Sequence, residues 1–409
     1  MDVKKILKKI EETETPKVNK VAVAYSGGLD SALGIELLRG KYKAKEILPI
    51  TIDVGQGEEE VAESRRKAKV LKIKPLFFDL RKEFTEVWIA RAIQANSDYL
   101  GYPVSTSMTR QIVAKKVAEV ALREGCDAIL EGSSGKGNDQ YRMHNVFKLF
   151  APGLKILVPV RDFDLTRLEE EVLCREWGVP VTEMLTGGDD KTMWCRSIAS
   201  GAIDLNQPLP DKIWMWYRPP EKAMNRPGSF TLEFKQGIPV KFNGKKSPLG
   251  EIIPALNDLG GAHGVGKIDM FEDGIMDLKS REIYEAPAAT ILLKLHRDLE
   301  QFCLTKDEIQ FKRGVDQKWA YLVYHGMAYH PLRYDLDAFI EQSQRVVNGT
   351  YKIKLYKGNI EILHRDSKTS LFSPGIRSIK ATGFDQRRCA DAAFVRGLPF
   401  EILSGRKRK

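Results

Sequence analysis

The sequence predicts an α/β fold: a doubly wound parallel sheet forms a nucleotide-binding domain, and an α+β domain and a C-terminal tail element follow. Between residues 19 and 180, short apolar runs alternate with amphipathic helical patterns, which is typical of a parallel sheet covered by helices. After Phe230 the patterns of hairpins and helices are mixed, which indicates an α+β domain. A chain of 409 residues also exceeds the size at which one hydrophobic core stops growing, so two domains are expected.

Five short apolar runs in the first region are predicted to be buried strands, at residues 20–25, 47–54, 75–80, 127–131 and 156–160. Helical patterns lie between and after them, at residues 32–38, 59–71, 84–95, 109–123 and 166–177. The second region has hairpin patterns at residues 230–242 and 351–364, and helical patterns at 249–259, 290–302, 306–323 and 336–346. Ligands bind beyond the carboxyl ends of parallel strands, so the polar motifs that follow the first strands are candidate binding loops.

The first strand ends in Ser26-Gly27-Gly28, and Asp30 and Ser31 then begin a helical pattern. Adjacent glycines allow a backbone to approach a ligand, and the free N–H groups at a helix start attract anions. The spacing matches neither the Walker nor the Rossmann fingerprint. The local interpretation is a phosphate-binding turn, and the alternative is an ordinary strand-to-helix turn without a ligand.

A second candidate loop, residues 132–142, follows the fourth strand and has three glycines within six residues. Lys136 and Arg142 supply positive charge, and Asn138 and Asp139 supply groups that can hold an amine or a ureido group. The alternative is a surface loop without a ligand. A weaker signal is the hydroxyl-rich stretch at residues 102–110, which by itself is typical of helix capping.

Composition excludes several classes of protein. No apolar run is long enough to span a bilayer, and residues 1–18 lack the apolar region of a signal peptide. The five cysteines are scattered and the six histidines are isolated, which argues against a disulfide framework and a metal site and favours a reducing cytosol. The net charge of +10 favours anionic partners such as nucleotides, and the basic tail at residues 406–409 is interpreted as solvated.

The run Ser-Gly-Gly-Leu-Asp-Ser resembles the PP-loop of the ATP pyrophosphatases, which cleave ATP between the α- and β-phosphates. The loops at residues 24–32, 52–56, 102–110 and 132–142 resemble, in order and spacing, those of the argininosuccinate synthases. The run Gly-Lys-Gly-Asn-Asp-Gln-x-Arg at residues 135–142 is distinctive of that family. Further similar segments at residues 230–244, 260–269 and 279–292 extend the resemblance over nearly the whole chain.

The resemblance implies a ligase that condenses citrulline and aspartate to argininosuccinate through a citrullyl-adenylate, releasing AMP and pyrophosphate. It implies ATP as the nucleotide, Mg²⁺ that is bound with ATP and by no protein side chain, and a cytoplasmic homotetramer without a membrane or nucleic-acid partner. The expected organisation is an N-terminal extension (1–18), a nucleotide-binding PP-loop domain (19–180), a synthetase domain (181–375) and a C-terminal oligomerisation tail (376–409).

The resemblance also assigns roles to residues. The expected ATP-binding residues are Ala24, Tyr25, Ser26, Gly27, Gly28, Leu29, Asp30, Ser31, Ala32, Ile52, Gly132, Gly135 and Gly137. The expected aspartate-binding residues are Thr106, Ser134, Asn138 and Asp139. The expected citrulline-binding residues are Tyr102, Ser107, Asn138, Arg142, Ser197, Glu272 and Tyr284. The expected catalytic residues are Asp30, Arg110, Lys136, Asn138 and Asp139. Outside the family context, Glu272 would be interpreted as surface charge and Tyr284 as a core aromatic.

The sequence departs from the family in the segment that closes on citrulline. Gly188 stands where the family has a citrulline-binding serine, and Thr192 stands where it has an asparagine, while Ser197 is retained. A second hypothesis is therefore a related ligase that adenylates a different ureido, amide or carboxylate acceptor. A third is a PP-loop protein that acts on tRNA, and a fourth is a non-catalytic regulator that binds nucleotide.

Overall fold

The computed structural model describes residues 3–181, 189–198 and 208–406. The chain divides into two compact units, Met1–Thr369 and Ser370–Lys409. The parallel sheet and both antiparallel sheets described below belong to the first unit.

The first half of the larger unit contains a five-stranded sheet in the order β3-β2-β1-β4-β5, with every neighbouring pair parallel. Its strands are β1 (Lys20–Ala24), β2 (Glu46–Asp53), β3 (Leu76–Asp79), β4 (Ala128–Leu130) and β5 (Lys155–Leu157). The helices are α1 (Val3–Glu12), α2 (Leu29–Gly40), α3 (Glu58–Val70), α4 (Arg81–Glu83), α5 (Ala90–Gln94), α6 (Thr106–Arg123), α7 (Asp139–Phe150), α8 (Pro159–Asp162) and α9 (Arg167–Glu176), with a π-helix (Phe84–Ile89) between α4 and α5. The predicted doubly wound sheet is confirmed.

Both faces of the sheet are buried at its central strands β1 and β4, which explains why these two strands are almost continuously apolar. Val21 and Val23 of β1 belong to a core shared with α1, α2 and α9, whereas Ala22 faces a second core that includes α6 and the π-helix. This second core continues into the other half of the unit, through Leu232 and Tyr351. The two cores therefore hold the carboxyl ends of the parallel strands in place, and the loops that follow these strands start from fixed positions.

Three local predictions need correction. Helix α2 begins at Leu29 with Gly28 at its N-cap, not at the better capping residues Asp30 and Ser31. Helix α7 was not predicted, because the polar and glycine-rich run before it is typical of a loop. Strand β5 ends before the predicted residue 160, because Pro159 begins α8 there.

The second half of the larger unit is α+β, as predicted. One antiparallel sheet has the order β10-β9-β8-β13-β14 and another has the order β11-β12-β7-β6. The strands are β6 (Asp189–Lys191), β7 (Arg196–Ile198), β8 (Gly228–Lys235), β9 (Ile238–Phe242), β10 (Lys245–Lys246), β11 (Lys267–Asp273), β12 (Lys279–Glu285), β13 (Gly349–Tyr356) and β14 (Asn359–Asp366). The helices are α10 (Leu249–Ala262), α11 (Pro287–Cys303), α12 (Lys306–Tyr324) and α13 (Pro331–Gln344), with a 3₁₀ turn at Asp211–Ile213.

The sheet that contains β11 and β12 was not predicted. Lys267–Asp273 and Lys279–Glu285 are rich in charged residues, so neither segment has the apolar run of a buried strand. They pair as a hairpin, and β7 adds to the other edge of β12. This sheet carries Glu272 and Tyr284, so its position determines part of the site described below.

The smaller unit contains α14 (Pro374–Arg377), a 3₁₀ turn at Gln386–Arg388 and α15 (Cys389–Ser404). Phe394, Phe400 and Ile402 of α15 are exposed. Among the described helices of the whole chain, none is long and apolar enough to cross a membrane.

Candidate active site

The PP-loop (residues 26–31) joins β1 to α2 and contains a glycine that no other residue could replace without strain. Gly27 has φ +80°, and a Cβ at this position would lie 2.6 Å from the Cα of Ser64. The Gly28 N–H donates to the Ser26 hydroxyl over 3.1 Å, and no side chain caps the start of α2. The loop thus presents small groups and a helix N-terminus, an arrangement that binds phosphate.

The remaining residues expected to bind ATP differ in exposure. Tyr25, Leu29 and Ala32 are buried in the core, so they could contact a nucleotide only through backbone atoms. Ala24 and Ile52 lie at the carboxyl ends of the paired strands β1 and β2. This edge of the sheet is where a parallel α/β fold binds its ligand.

Asp30 is flanked by charged groups in the first turn of α2. Its carboxylate lies 2.7 Å from the guanidinium of Arg167. Burial, and next the carboxylate of Asp30, raise the pKa of Glu170 to about 9, so Glu170 is protonated at pH 7. Ser31 donates its hydroxyl to the Gly28 carbonyl over 3.1 Å. The carboxylate of Asp30 is therefore paired with Arg167 at the start of α2.

The turn before α6 is organised by Tyr102. Its hydroxyl accepts the N–H groups of Ser105 and Thr106 over 2.8 and 2.9 Å, and its ring stacks on Tyr284 with centroids 4.4 Å apart. The Ser107 hydroxyl is buried and has no hydrogen-bond partner among the described residues. One turn thus carries two residues expected to bind citrulline, Tyr102 and Ser107, and one expected to bind aspartate, Thr106.

The second candidate loop runs from the end of β4 into α7 and packs against the PP-loop. A Cβ at Gly132 would lie 3.0 Å from the Cβ of Asp30. Further along, a Cβ at Gly137 would lie 3.5 Å from the Ser134 hydroxyl, and one at Gly135 would lie 3.1 Å from the side chain of Arg161. Contact between the two loops brings residues expected to bind ATP beside those expected to bind aspartate.

At the start of α7, Asp139 is held by two guanidinium groups. Its carboxylate accepts from Arg110 over 2.8 Å and from Arg142 over 2.9 Å. Burial opposes the ionisation of Asp139, but the two arginines outweigh burial and hold the pKa of Asp139 below its usual range. Lys136, in contrast, is exposed. Of the expected catalytic residues, Arg110 and Asp139 are thus in contact with each other.

Glu272 is the centre of the expected citrulline site. It is 4% exposed, and its two oxygens accept from the hydroxyls of Tyr284 over 2.8 Å and Tyr324 over 2.5 Å. The Tyr324 hydroxyl in turn accepts from the Asn138 amide over 3.0 Å, and the Asn138 oxygen accepts the Ile275 N–H over 2.8 Å. Glu272 is therefore a buried network member, and the interpretation as surface charge is wrong.

The hairpin of β6 and β7 forms the next wall of the site. Ser197 pairs with Tyr284 in the sheet. The Thr192 hydroxyl lies 2.8 Å from that of Ser105 and accepts two following backbone N–H groups over 3.0 and 3.2 Å. The Thr192 hydroxyl thus closes the hairpin turn. Gly188 lies outside the described residues.

The same hairpin contacts the loop that follows β2. The side chain of Met193 occupies the space beside Gly55, where a Cβ would lie 2.7 Å from the Met193 methyl carbon. Lys191 pairs with Glu60 of α3 over 3.5 Å. One hairpin therefore contacts the loop after β2 and helix α3, and its strand β7 also pairs with the strand that carries Tyr284.

Three residues of the site were missed by sequence reasoning. Asp190 pairs with Arg110, and Tyr324 accepts the Arg142 Nε–H at its carbonyl over 2.9 Å. Glu131 is 1% exposed at the end of β4, and burial raises its pKa to about 7. None of the three belongs to a sequence motif that indicates a role in the site. The polar runs that follow Glu131 and surround Asp190 indicated that these two residues lie near a binding loop. Tyr324 had no such indication, because it is the last residue of a long helix.

The arrangement suits charge neutralisation and positioning more than covalent catalysis. Beside a loop whose geometry suits anion binding lies a cluster of buried hydroxyl, amide and carboxylate groups, and such fixed dipoles stabilise developing charge. In the parts of the chain that the structure describes, no group of three or more His, Cys, Asp or Glu residues could hold a metal ion.

Two family models match the chain. The Arginosuccinate synthase N-terminal HUP domain matches residues 20–180, and the Arginosuccinate synthase C-terminal domain matches residues 189–403. Three curated relatives, each named argininosuccinate synthase, match over nearly their full length. The protein of Methanopyrus kandleri is 41% identical over 96% of this chain and 100% of its own. That of Methanocaldococcus jannaschii is 41% identical over 96% and 100%, and that of Archaeoglobus fulgidus is 40% identical over 93% and 97%.

The matched regions include both candidate loops and the strands that carry Ser197, Glu272 and Tyr284. Together the two models cover residues 20–180 and 189–403, and Gly188 falls in the gap between them. The chain therefore belongs to the argininosuccinate synthase family.

Proposed function

We propose that this protein is an ATP-dependent ligase that joins citrulline and aspartate through a citrullyl-adenylate, releasing AMP and pyrophosphate. The observation that carries the proposal is the Glu272 network. It links residues expected to bind citrulline, through Asn138, to the loop that packs against the PP-loop. The near full-length similarity to enzymes named argininosuccinate synthase supports this choice of substrates.

In the first step, the ureido oxygen of citrulline attacks the α-phosphorus of ATP and pyrophosphate leaves. The PP-loop and the start of α2 bind the leaving pyrophosphate, because backbone N–H groups and the helix dipole stabilise its charge. Glu272, Tyr284 and Tyr102 hold the citrulline in place, so the reaction gains from positioning.

In the second step, the ammonium group of aspartate loses one proton to water, and the resulting amine attacks the adenylated ureido carbon. The C–N bond forms as the C–O bond to AMP breaks, and AMP leaves. Asp139 stays ionised between its two arginines, so it can attract the ammonium group of the incoming aspartate. Thr106 and Ser134 offer hydroxyls to the substrate carboxylates. Arg110 donates to the Oδ2 of Asp139 and Arg142 donates to its Oδ1, so both carboxylate oxygens are held in place.

We propose that Mg²⁺ enters with ATP. Mg²⁺ commonly combines one or two carboxylates with phosphate oxygens and water. Asp30 is the carboxylate of the PP-loop, and Arg167 already compensates it at 2.7 Å. This fits an ion ligated by phosphate and water, with no protein side chain bound directly. When bound, the ion would neutralise charge on the pyrophosphate.

We also propose a cytoplasmic homotetramer. The exposed apolar residues Phe394, Phe400 and Ile402 of α15 support self-association, and the five free cysteines suit a reducing compartment. Light scattering after size-exclusion chromatography gives the subunit number, and a monomer at micromolar concentration would overturn the tetramer.

The function is tested by incubating the protein with ATP, Mg²⁺, citrulline and aspartate and measuring AMP, pyrophosphate and argininosuccinate. We expect all three products in equal amounts. A panel of other ureido, amide and carboxylate acceptors serves as the control. Pyrophosphate release with another acceptor that exceeds the release with citrulline would contradict the proposal.

A further inference from the structure

Tyr324 is the last residue of α12, it is fully buried, and it contacts three residues of the site as well as the ring of Tyr99. Its hydroxyl accepts from the Asn138 Nδ2 over 3.0 Å and donates to the Glu272 Oε1 over 2.5 Å. Its carbonyl accepts from the Arg142 Nε over 2.9 Å, and its ring stacks on Tyr99 at 3.8 Å between centroids.

The hydroxyl bridges two groups that belong to different substrates in the proposed function. Asn138 is expected to contact aspartate as well as citrulline, whereas Glu272 is expected to contact citrulline alone. The amide of Asn138 is fixed at both ends, because its oxygen accepts from Ile275 and its nitrogen donates to Tyr324. A shift of the Glu272 carboxylate therefore reaches the Asn138 amide through one oxygen atom.

The bridge is rigid and keeps its direction. The Arg142 guanidinium lies 4.8 Å above the Tyr324 ring, and Tyr99 stacks on the same ring. Burial, and next the carboxylate of Glu272, raise the pKa of Tyr324, so the phenol keeps its proton and remains the donor to Glu272. Because the hydroxyl is held in this way, a displacement of the Glu272 carboxylate also displaces the Asn138 amide.

We infer that Tyr324 is a positioning residue whose hydroxyl couples the binding of citrulline to the binding of aspartate. The inference rests on the proposed function, because the two substrates are taken from it. Citrulline that settles against Glu272 fixes the Tyr324 hydroxyl, and the hydroxyl holds the Asn138 amide in the orientation that aspartate requires. Binding of either substrate then favours binding of the other, as linkage demands.

The test compares Tyr324→Phe with the matched variant Tyr99→Phe. Each change keeps the stacked pair of rings and removes one phenol hydroxyl. Tyr99 is a suitable match because its hydroxyl also makes a hydrogen bond, donated to the Asp273 carbonyl over 3.0 Å. Calorimetry measures citrulline affinity with and without saturating aspartate, and steady-state kinetics gives KM for each substrate.

For Tyr324→Phe we expect KM for citrulline and for aspartate to rise at least about tenfold, with KM for ATP unchanged. We also expect aspartate to lose its effect on citrulline affinity. Tyr99→Phe should keep this effect even where the melting temperature falls equally. Equal loss in both variants, or a change for one substrate alone, would overturn the inference.

The single variant Asn138→Ala covers the case in which Tyr324→Phe is poorly folded, and a double-mutant cycle applies where both variants fold. Asn138→Ala breaks the same bridge from its other side, so it should also remove the effect of aspartate on citrulline affinity, and adding Tyr324→Phe should cost little more. Fully additive losses would overturn the inference. Wild-type product formation, measured separately, tests the proposed function, so failure of one is distinguishable from failure of the other.

Discussion

The proposed nucleotide side and the proposed acceptor side of this site are built in different ways. The PP-loop consists of consecutive residues whose backbone is shaped by Gly27, so a short run of sequence specifies it. The acceptor side is assembled from side chains of Tyr102, Asn138, Glu272 and Tyr324, which are distant in sequence. A binding site made of backbone can be recognised from sequence alone, whereas one made of dispersed side chains requires the fold.

The largest expected effect is that of Gly27→Ala, which tests whether the nucleotide side depends on backbone shape. The new Cβ would collide with Ser64 at 2.6 Å, and alanine is strained at φ +80°. We expect kcat/KM for ATP to fall at least about 100-fold, equivalent to about 3 kcal/mol. Pyrophosphate release is the measurement. Gly40→Ala is the matched control, because a Cβ added there would meet nothing within 4 Å apart from its own helix. If Gly27→Ala were as active as Gly40→Ala, the comparison would be contradicted.

The next prediction concerns Glu131, which lies where the two sides meet. Its pKa is raised to about 7 in the folded protein from 4.5, with Asp139 and Arg161 as its charged neighbours. The folded state therefore holds a proton that the unfolded state loses, so this group costs stability as pH rises from 4.5 to 7, and the full cost persists above pH 7.

Glu131→Gln should consequently stabilise the protein by up to about 3 kcal/mol at pH 8 and by almost nothing at pH 4.5. Urea unfolding at the two pH values measures the difference. Glu308→Gln is the control of opposite sign, because hydrogen bonds at the helix cap lower the pKa of Glu308. If Glu131→Gln raised the free energy of unfolding equally at both pH values, the charge of Glu131 would not be the cause of the stabilisation.

Glu272→Gln tests the acceptor side. The amide can accept the hydroxyl of only one of the two tyrosines, and its own NH₂ group would then face the oxygen of the other. We expect KM for citrulline to rise about 10- to 100-fold while KM for ATP stays constant, since hydrogen bonds to charged groups contribute about 1.5–3 kcal/mol. Steady-state kinetics measures both constants, with Asp273→Asn as the neighbouring control. Equal changes in both KM values would mean that the two sides are not separate.

Thr192→Val gives the smallest expected effect. It keeps the shape of the side chain but removes the contacts with Ser105 and with two backbone N–H groups. We expect a loss of about 1–2 kcal/mol in the free energy of unfolding and a small rise in KM for citrulline. Denaturant unfolding and kinetics are the measurements. Thr350→Val, at a half-buried position on β13, is the control and should leave KM unchanged.

The difference between the two sides also explains what the sequence could predict. The parallel sheet and the PP-loop follow from apolar runs and glycines, which act locally. Strands β11 and β12 escaped prediction because half-exposed, charged strands have no apolar run to mark them. Tyr324 escaped for a related reason. It is one tyrosine at the end of a long helix, and only the folded chain places it beside Glu272.

The contact between Met193 and Gly55 has a consequence for protein engineering. Met193 belongs to the hairpin beside the acceptor, and Gly55 belongs to the loop after β2. A hairpin transplanted from another ligase, to change the acceptor, would therefore also have to fit the surface around Gly55. The hairpin of β6 and β7 is therefore not an interchangeable module, and successful grafts should carry paired changes in both segments.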